Sequence, residues 1–141
     1  MKGSEEVARD GLTVQKIIAF VRLGRPLHLV GGVLFNGLGM SIAHFLGMPI
    51  DWAAAAWGQV AITSIQLMTH YSNDYFDQDA DQAAVTPTRW ASGSRVLPEG
   101  TLSPRVALVA ALVLAGVALL ATAIVTAASA SPVQTLSLIH I

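Results

Sequence analysis

The sequence predicts an all-α integral membrane protein, and three observations predict it. Of 141 residues, 53% are hydrophobic and 12% charged, a balance too apolar for an ordinary soluble domain of this length. Three runs, at about residues 27–48, 52–72 and 106–128, reach the roughly 20 apolar residues that a helix needs to cross a bilayer. Backbone groups in lipid must be satisfied within the segment, so helices are the default for all three.

Ahead of the first span, Val14, Ile17, Ile18 and Val21 recur at helical spacing while Lys16 and Arg22 fall on other faces. This pattern predicts a short helix at about 12–23 lying on the membrane surface. Arg25-Pro26 then turns the chain inward. The alternative, a cleaved signal peptide, fits less well, because the charged leader is long and the apolar run exceeds a normal signal core.

The net charge of -1 names no partner, but the placement of the charges is informative. All eight Lys and Arg lie in two regions. Lys2, Arg9, Lys16, Arg22 and Arg25 precede the first apolar run. Arg89, Arg95 and Arg105 lie in or at the edge of the connection between the second and third, at about 82–104. Cationic residues favour the cytoplasmic side, so the N-terminus and this connection are expected there, with the 47–51 turn outside. Thr86-Pro87, Ser92-Gly93-Ser94, Leu97-Pro98 and Glu99-Gly100 mark the connection as irregular loop. A loop of this length in a compact protein is more often functional than idle. The absence of cysteine excludes disulfides, thiolate metal sites and cysteine nucleophiles.

The second span runs into Asn73-Asp74-Tyr75-Phe76-Asp77-Gln78-Asp79-Ala80-Asp81. Asn73, Asp77 and Asp81 step by four and Asp74 leads Asp77 by three, so a continuing helix places these four on one face and Asp79 elsewhere. Like charges on one stripe repel, and they stand at the negative end of a helix dipole. A divalent cation removes that cost. Mg²⁺ keeps several waters and takes one or two carboxylates plus substrate phosphates, which suits a sparse stripe of aspartates. Asp77 and Asp81 are the expected ligands, with Asn73 and Asp74 as further ligands or partners of them.

The same face continues into the span as Gln59, Thr63, Gln66 and His70, at intervals of four, three and four. Gln59 and Thr63 read as interhelical hydrogen-bonding groups. Gln66 and His70, next to the carboxylates, are candidates for lining a substrate cavity. Asn36, in the first span, can hydrogen-bond substrate or another helix. Arg89 and Arg95 can clamp phosphate oxygens or orient the protein by charge, and Arg25 can do either. An EF-hand opening at Asp77 fails, because Gln82 replaces the required glycine and Thr88 the bidentate glutamate. A cation-coupled transporter also keeps carboxylates in membrane helices, though nearer the midplane.

At Asn73, Asp77 and Asp81 the chain resembles the UbiA superfamily of membrane prenyltransferases, whose first signature is Asn followed by Asp at four-residue steps. Arg25-Pro26 and Ser92-Gly93-Ser94-Arg95-Val96-Leu97 resemble the family too, so the likeness covers roughly residues 25–128. The resemblance implies nine helices, of which three are present here, around a cavity in a bacterial plasma membrane. It also implies two aspartate-rich motifs that bind Mg²⁺ and the diphosphate of a polyprenyl donor. Family members prenylate quinone-precursor aromatics, chlorophyll or haem precursors, or phosphoribose and glycerol backbones. The Asn-Asp-Tyr-Phe-Asp wording is most similar to the naphthoate-type enzymes of menaquinone synthesis. Only the first motif is present, so the chain is expected to be an N-terminal part of one prenyltransferase domain, inactive alone.

Residues 136–141, Leu-Ser-Leu-Ile-His-Ile, are what one reading frame of a sequencing-library adapter encodes, and are expected to be non-native. Sequencing the source DNA past Thr135 is expected to give different codons; the same codons running to a natural stop would refute this.

Overall fold

The computed structural model of the chain describes residues 2–83 and 94–128. Arg89 and the expected non-native tail lie outside the described residues. Regular structure among the described residues is entirely helical: α1 (Lys2–Leu23), α2 (Pro26–Phe45), α3 (Trp52–Phe76), α4 (Gln78–Ala83) and α5 (Pro104–Ala128). By length and composition, α2 and α5 can cross a membrane. The third expected span, α3, has 25 residues but falls short in apolarity. Its physical reason is the row of Gln59, Thr63, Gln66 and His70, joined by Ser64 and Thr69.

Helix ends follow local chemistry. Gly47, at φ 72°, closes α2: its N–H donates to the His44 carbonyl and that of Met48 to the Ala43 carbonyl, both at 3.0 Å. This is the Schellman arrangement, which needs a left-handed residue that glycine adopts without penalty. Asp51 caps α3, its Oδ1 accepting from the N–H groups of Ala53 and Ala54 at 3.0 Å each. Pro104, whose missing N–H costs nothing in a first turn, opens α5.

The corner between α1 and α2 is different. Arg25 takes the left-handed conformation, φ 47°, where glycine would be cheapest. Its N–H donates to the Arg22 carbonyl at 3.1 Å. Pro26 follows and has no N–H, so the second bond seen after Gly47 cannot form here. A non-glycine residue in this region costs on the order of 1–3 kcal/mol and persists only where its surroundings enforce it.

The described chain divides into two compact units, each threaded by α3 and α5. One comprises Met1–Pro26 and Thr69–Ala111. Its buried apolar side chains include Ala19, Leu23, Tyr71, Val96, Leu97, Ala107 and Ala111. Tyr71 stacks on Phe20 with ring centroids 5.1 Å apart and donates its hydroxyl to the Phe20 carbonyl at 3.4 Å. The other unit comprises Leu27–Met68 and Leu112–Ile141. It buries Gly32, Ala61, Ser64, Ala118 and Ala121, whereas Leu34, Phe35, Phe45, Leu112 and Leu119 are exposed. Small residues inside and large apolar residues outside reverse the usual order of a soluble core.

Gly32 lets α2 approach α3 closely. A methyl group there would stand 2.3 Å from Oε1 of Gln66 and 2.7 Å from Cγ2 of Ile62. Gly32→Ala is therefore expected to destabilise the chain by about 1–3 kcal/mol through overpacking. Gly39→Ala, with no atom within 4 Å of the added methyl, is expected to be neutral or slightly stabilising. Thermal unfolding of both variants in detergent checks this; equal midpoints would contradict the close approach.

Candidate functional site

The acidic segment leaves α3 at Phe76, passes Asp77 as a turn and re-enters α4. Backbone bonding carries the four-residue step across the break. The Asp77 N–H donates to the Asn73 carbonyl and the Asp81 N–H to the Asp77 carbonyl, both at 2.8 Å. The expected continuing helix is thus interrupted at one residue while the ladder through Asn73, Asp77 and Asp81 persists.

Burial separates the aspartates. Asn73, Asp77 and Asp79 are exposed and Asp81 is half-buried, but Asp74 is only 3% exposed. Its carboxylate is held by three donors. Nη2 of Arg25 donates to Oδ1, while the hydroxyl and the N–H of Ser94 donate to Oδ2, the latter at 3.2 Å. Charge-assisted bonds of this kind are roughly twice as strong as neutral ones. Ser94 accepts in turn from the N–H of Val96 at 3.3 Å, and Val96 and Leu97 are buried at 1% and 2% exposure. The 94–97 segment is therefore anchored at both ends, by a carboxylate and by an apolar plug.

Arg95 lies between those anchors in the left-handed region, φ 60°. Its Nη1 donates to the Asp81 carbonyl at 3.4 Å. The Asp81 carboxyl titrates above its ordinary value, chiefly because burial disfavours its charge and then because Asp74 and Asp77 repel it. Arg25 and Arg95 pull the other way without cancelling the rise.

The structure thus brings together Arg25, Asp74, Ser94, Arg95 and Asp81. It does not gather Asp74, Asp77 and Asp81 into a cage: among the described residues no three His, Cys, Asp or Glu side chains form a group able to hold a metal ion. A cation here would have to take one or two carboxylates and keep its waters, and Asp77 and Asp81 are the residues that could hold it.

The remaining candidates divide between the units. His70 is half-buried one helical turn before Asp74. Asn36 donates to the Gln59 amide oxygen at 3.0 Å and to the Ala55 carbonyl at 3.3 Å, so its partner is α3. Gln59 donates to Thr63 at 2.9 Å. Gln66 donates to the His28 carbonyl at 3.3 Å, and its Oε1 is buried without a hydrogen-bond partner. Sequence reasoning missed Ser94 as a partner of Asp74. Its signal was present in the Ser-Gly-Ser-Arg run, but nothing in the sequence shows which acid it meets.

No protein-family model, curated protein or solved structure matches the chain.

Because the folded state raises the Asp81 carboxyl, it holds that proton to higher pH than the unfolded chain does. The contribution is fully present below the unfolded value near 4 and is lost as pH rises through the raised folded value. Stability without divalent cations is expected to fall across that window and to fall less in Asp81→Asn. Thermal unfolding at stepped pH in EDTA measures this, and identical pH slopes in the two proteins would contradict it.

Proposed function

We propose that the chain belongs to a membrane-embedded, Mg²⁺-dependent prenyltransferase of the UbiA type. It transfers a polyprenyl group from a polyprenyl diphosphate to an aromatic acceptor of quinone biosynthesis, the menaquinone type being closest to its motif wording. The observation that carries the reading is the juxtaposition, at one helix end, of the carboxylates Asp77 and Asp81 with Arg25 and Arg95, both fixed around a buried Asp74.

Embedding in lipid is supported by the reversed burial. Only 6% of the apolar window of α2 and 17% of that of α5 are buried within the chain, whereas the core helix of a soluble domain would be mostly covered. Membrane lipid covers the exposed Leu, Val and Phe side chains without a penalty.

The transfer breaks the bond between the allylic carbon and the diphosphate oxygen. The electron pair leaves with the diphosphate, a bond forms to the aromatic carbon, and that carbon then loses its proton. The barrier lies in the charge that develops on the leaving group. Mg²⁺ held by Asp77 and Asp81, with Asn73 beside them, would neutralise that charge. Arg25 and Arg95 contribute fixed positive charge and directed N–H donors to the same group. Nε of Arg25 is buried and has no hydrogen-bond partner, a donor that an oxyanion would satisfy.

The test is prenyl transfer by the full-length protein reconstituted in liposomes, with labelled polyprenyl diphosphate and a panel of aromatic acceptors. EDTA is expected to abolish transfer, and Asp77→Asn and Asp81→Asn each to lower kcat/KM by about 10²-fold or more. Unchanged activity in both variants would remove this site from the reaction. Ion flux without transfer would favour a cation-coupled transporter.

A further inference from the structure

We propose that Asp74 is a positioning residue and not a metal ligand: its carboxylate sets Arg25 directly, and Arg95 through Ser94, beside the open carboxylates of Asp77 and Asp81. The ligand that this arrangement serves, a diphosphate with its metal, rests on the prenyltransferase reading; the positioning role stands on the geometry.

The Asp74 carboxylate is already occupied. A carboxylate offers about four lone-pair sites. Three of those on Asp74 already accept, from Nη2 of Arg25 and from the hydroxyl and N–H of Ser94. At 3% exposure there is no approach for a cation that retains several waters. Asp77 is exposed and Asp81 half-buried, so the acids available to a hydrated metal are those two.

Backbone conformation points the same way. Among the described residues, the non-glycine positions of positive φ are Arg25 and Arg95, the two cations nearest the acids. Strained conformations of this kind persist where neighbours enforce them and cluster at functional sites. Asp74 is the neighbour common to both: it binds the Arg25 side chain, and it binds both polar groups of Ser94, the residue before Arg95. Arg95 can then reach the Asp81 carbonyl.

The experiment uses the full-length protein in nanodiscs with three readouts: Mg²⁺ affinity alone, inorganic pyrophosphate affinity at saturating Mg²⁺, and hydrogen exchange of the 94–97 backbone. For Asp74→Asn, Mg²⁺ affinity is expected to stay within about twofold, while pyrophosphate affinity falls and 94–97 exchange accelerates, each about tenfold or more. Asp81→Asn is expected to show the opposite pattern, weakened Mg²⁺ binding with unchanged exchange. Arg25→Lys, which keeps charge and a donor, should recover part of the pyrophosphate affinity lost in Arg25→Ala. Where Asp74→Asn does not fold, Ser94→Ala carries the same readouts with smaller changes. Loss of Mg²⁺ affinity in Asp74→Asn equal to that in Asp81→Asn makes Asp74 a ligand and overturns the proposal, as does unaltered 94–97 exchange. A wild type that binds neither Mg²⁺ nor pyrophosphate defeats the prenyltransferase reading instead, and the exchange measurement still decides the positioning role.

Discussion

The ion pair between Arg25 and Asp74 joins positions 49 residues apart, and three pieces of chain meet on it. It ties the corner between α1 and α2 to the end of α3, and through Ser94 it brings in the segment leading to α5. Burying a carboxylate is costly unless it is paired and its remaining lone pairs are used. Here a guanidinium faces the carboxylate, and the hydroxyl and N–H of Ser94 donate to its second oxygen. The dependence runs both ways. Arg25 occupies a left-handed position immediately before a proline, which a free chain would rarely choose for arginine. The buried anion gives that choice its reason: the corner that best satisfies the backbone would carry glycine, and glycine has no guanidinium to offer Asp74.

Packing follows a different rule away from this pair. Among the described residues, Gly32, Ala61, Ser64, Ala118 and Ala121 are the buried positions of the second unit. Their small side chains let helix backbones come close, which gains dispersion contacts. The polar row of α3 serves the same end. Asn36, Gln59 and Thr63 form a connected set of hydrogen bonds, and Gln66 reaches the His28 carbonyl. These groups make α3 less apolar than α2 or α5 while binding it to a neighbour.

Much of this was legible in the sequence, for reasons that can be stated. Helices were readable because their apolar runs are long and their punctuation is local: Gly47 and Asp51 act within four residues of themselves. The four-residue ladder through Asn73, Asp77 and Asp81 was readable for the same reason. The expected start of the first helix, at 12, moved to Lys2, because a periodicity argument sees apolar positions and this extension is polar, while the helix expected to continue through the aspartates breaks at Asp77 between α3 and α4. The partition of the aspartates was not legible. Spacing puts Asp74 on the same stripe as Asp77, and only the positions of Arg25 and Ser94, set by tertiary folding, show that its carboxylate is turned to protein donors. Asn36 likewise carried two readings in the sequence, substrate or another helix, and the partners it has in the fold are Gln59 and the Ala55 carbonyl of α3.

What the partition does for recognition follows from charge. Asp77 and Asp81 alone, at the negative end of α3, would attract any divalent cation. Arg25 and Arg95 alone would attract any phosphate. Held together by Asp74, each half weakens the other's isolated ligand, since a bare cation meets two guanidinium groups and a bare anion meets two carboxylates. A cation already complexed to a diphosphate meets complementary charge on both sides. On the prenyltransferase reading this selects the metal-bound donor over free metal and free diphosphate, and the selection is a property of the whole constellation, not of the aspartate signature by itself.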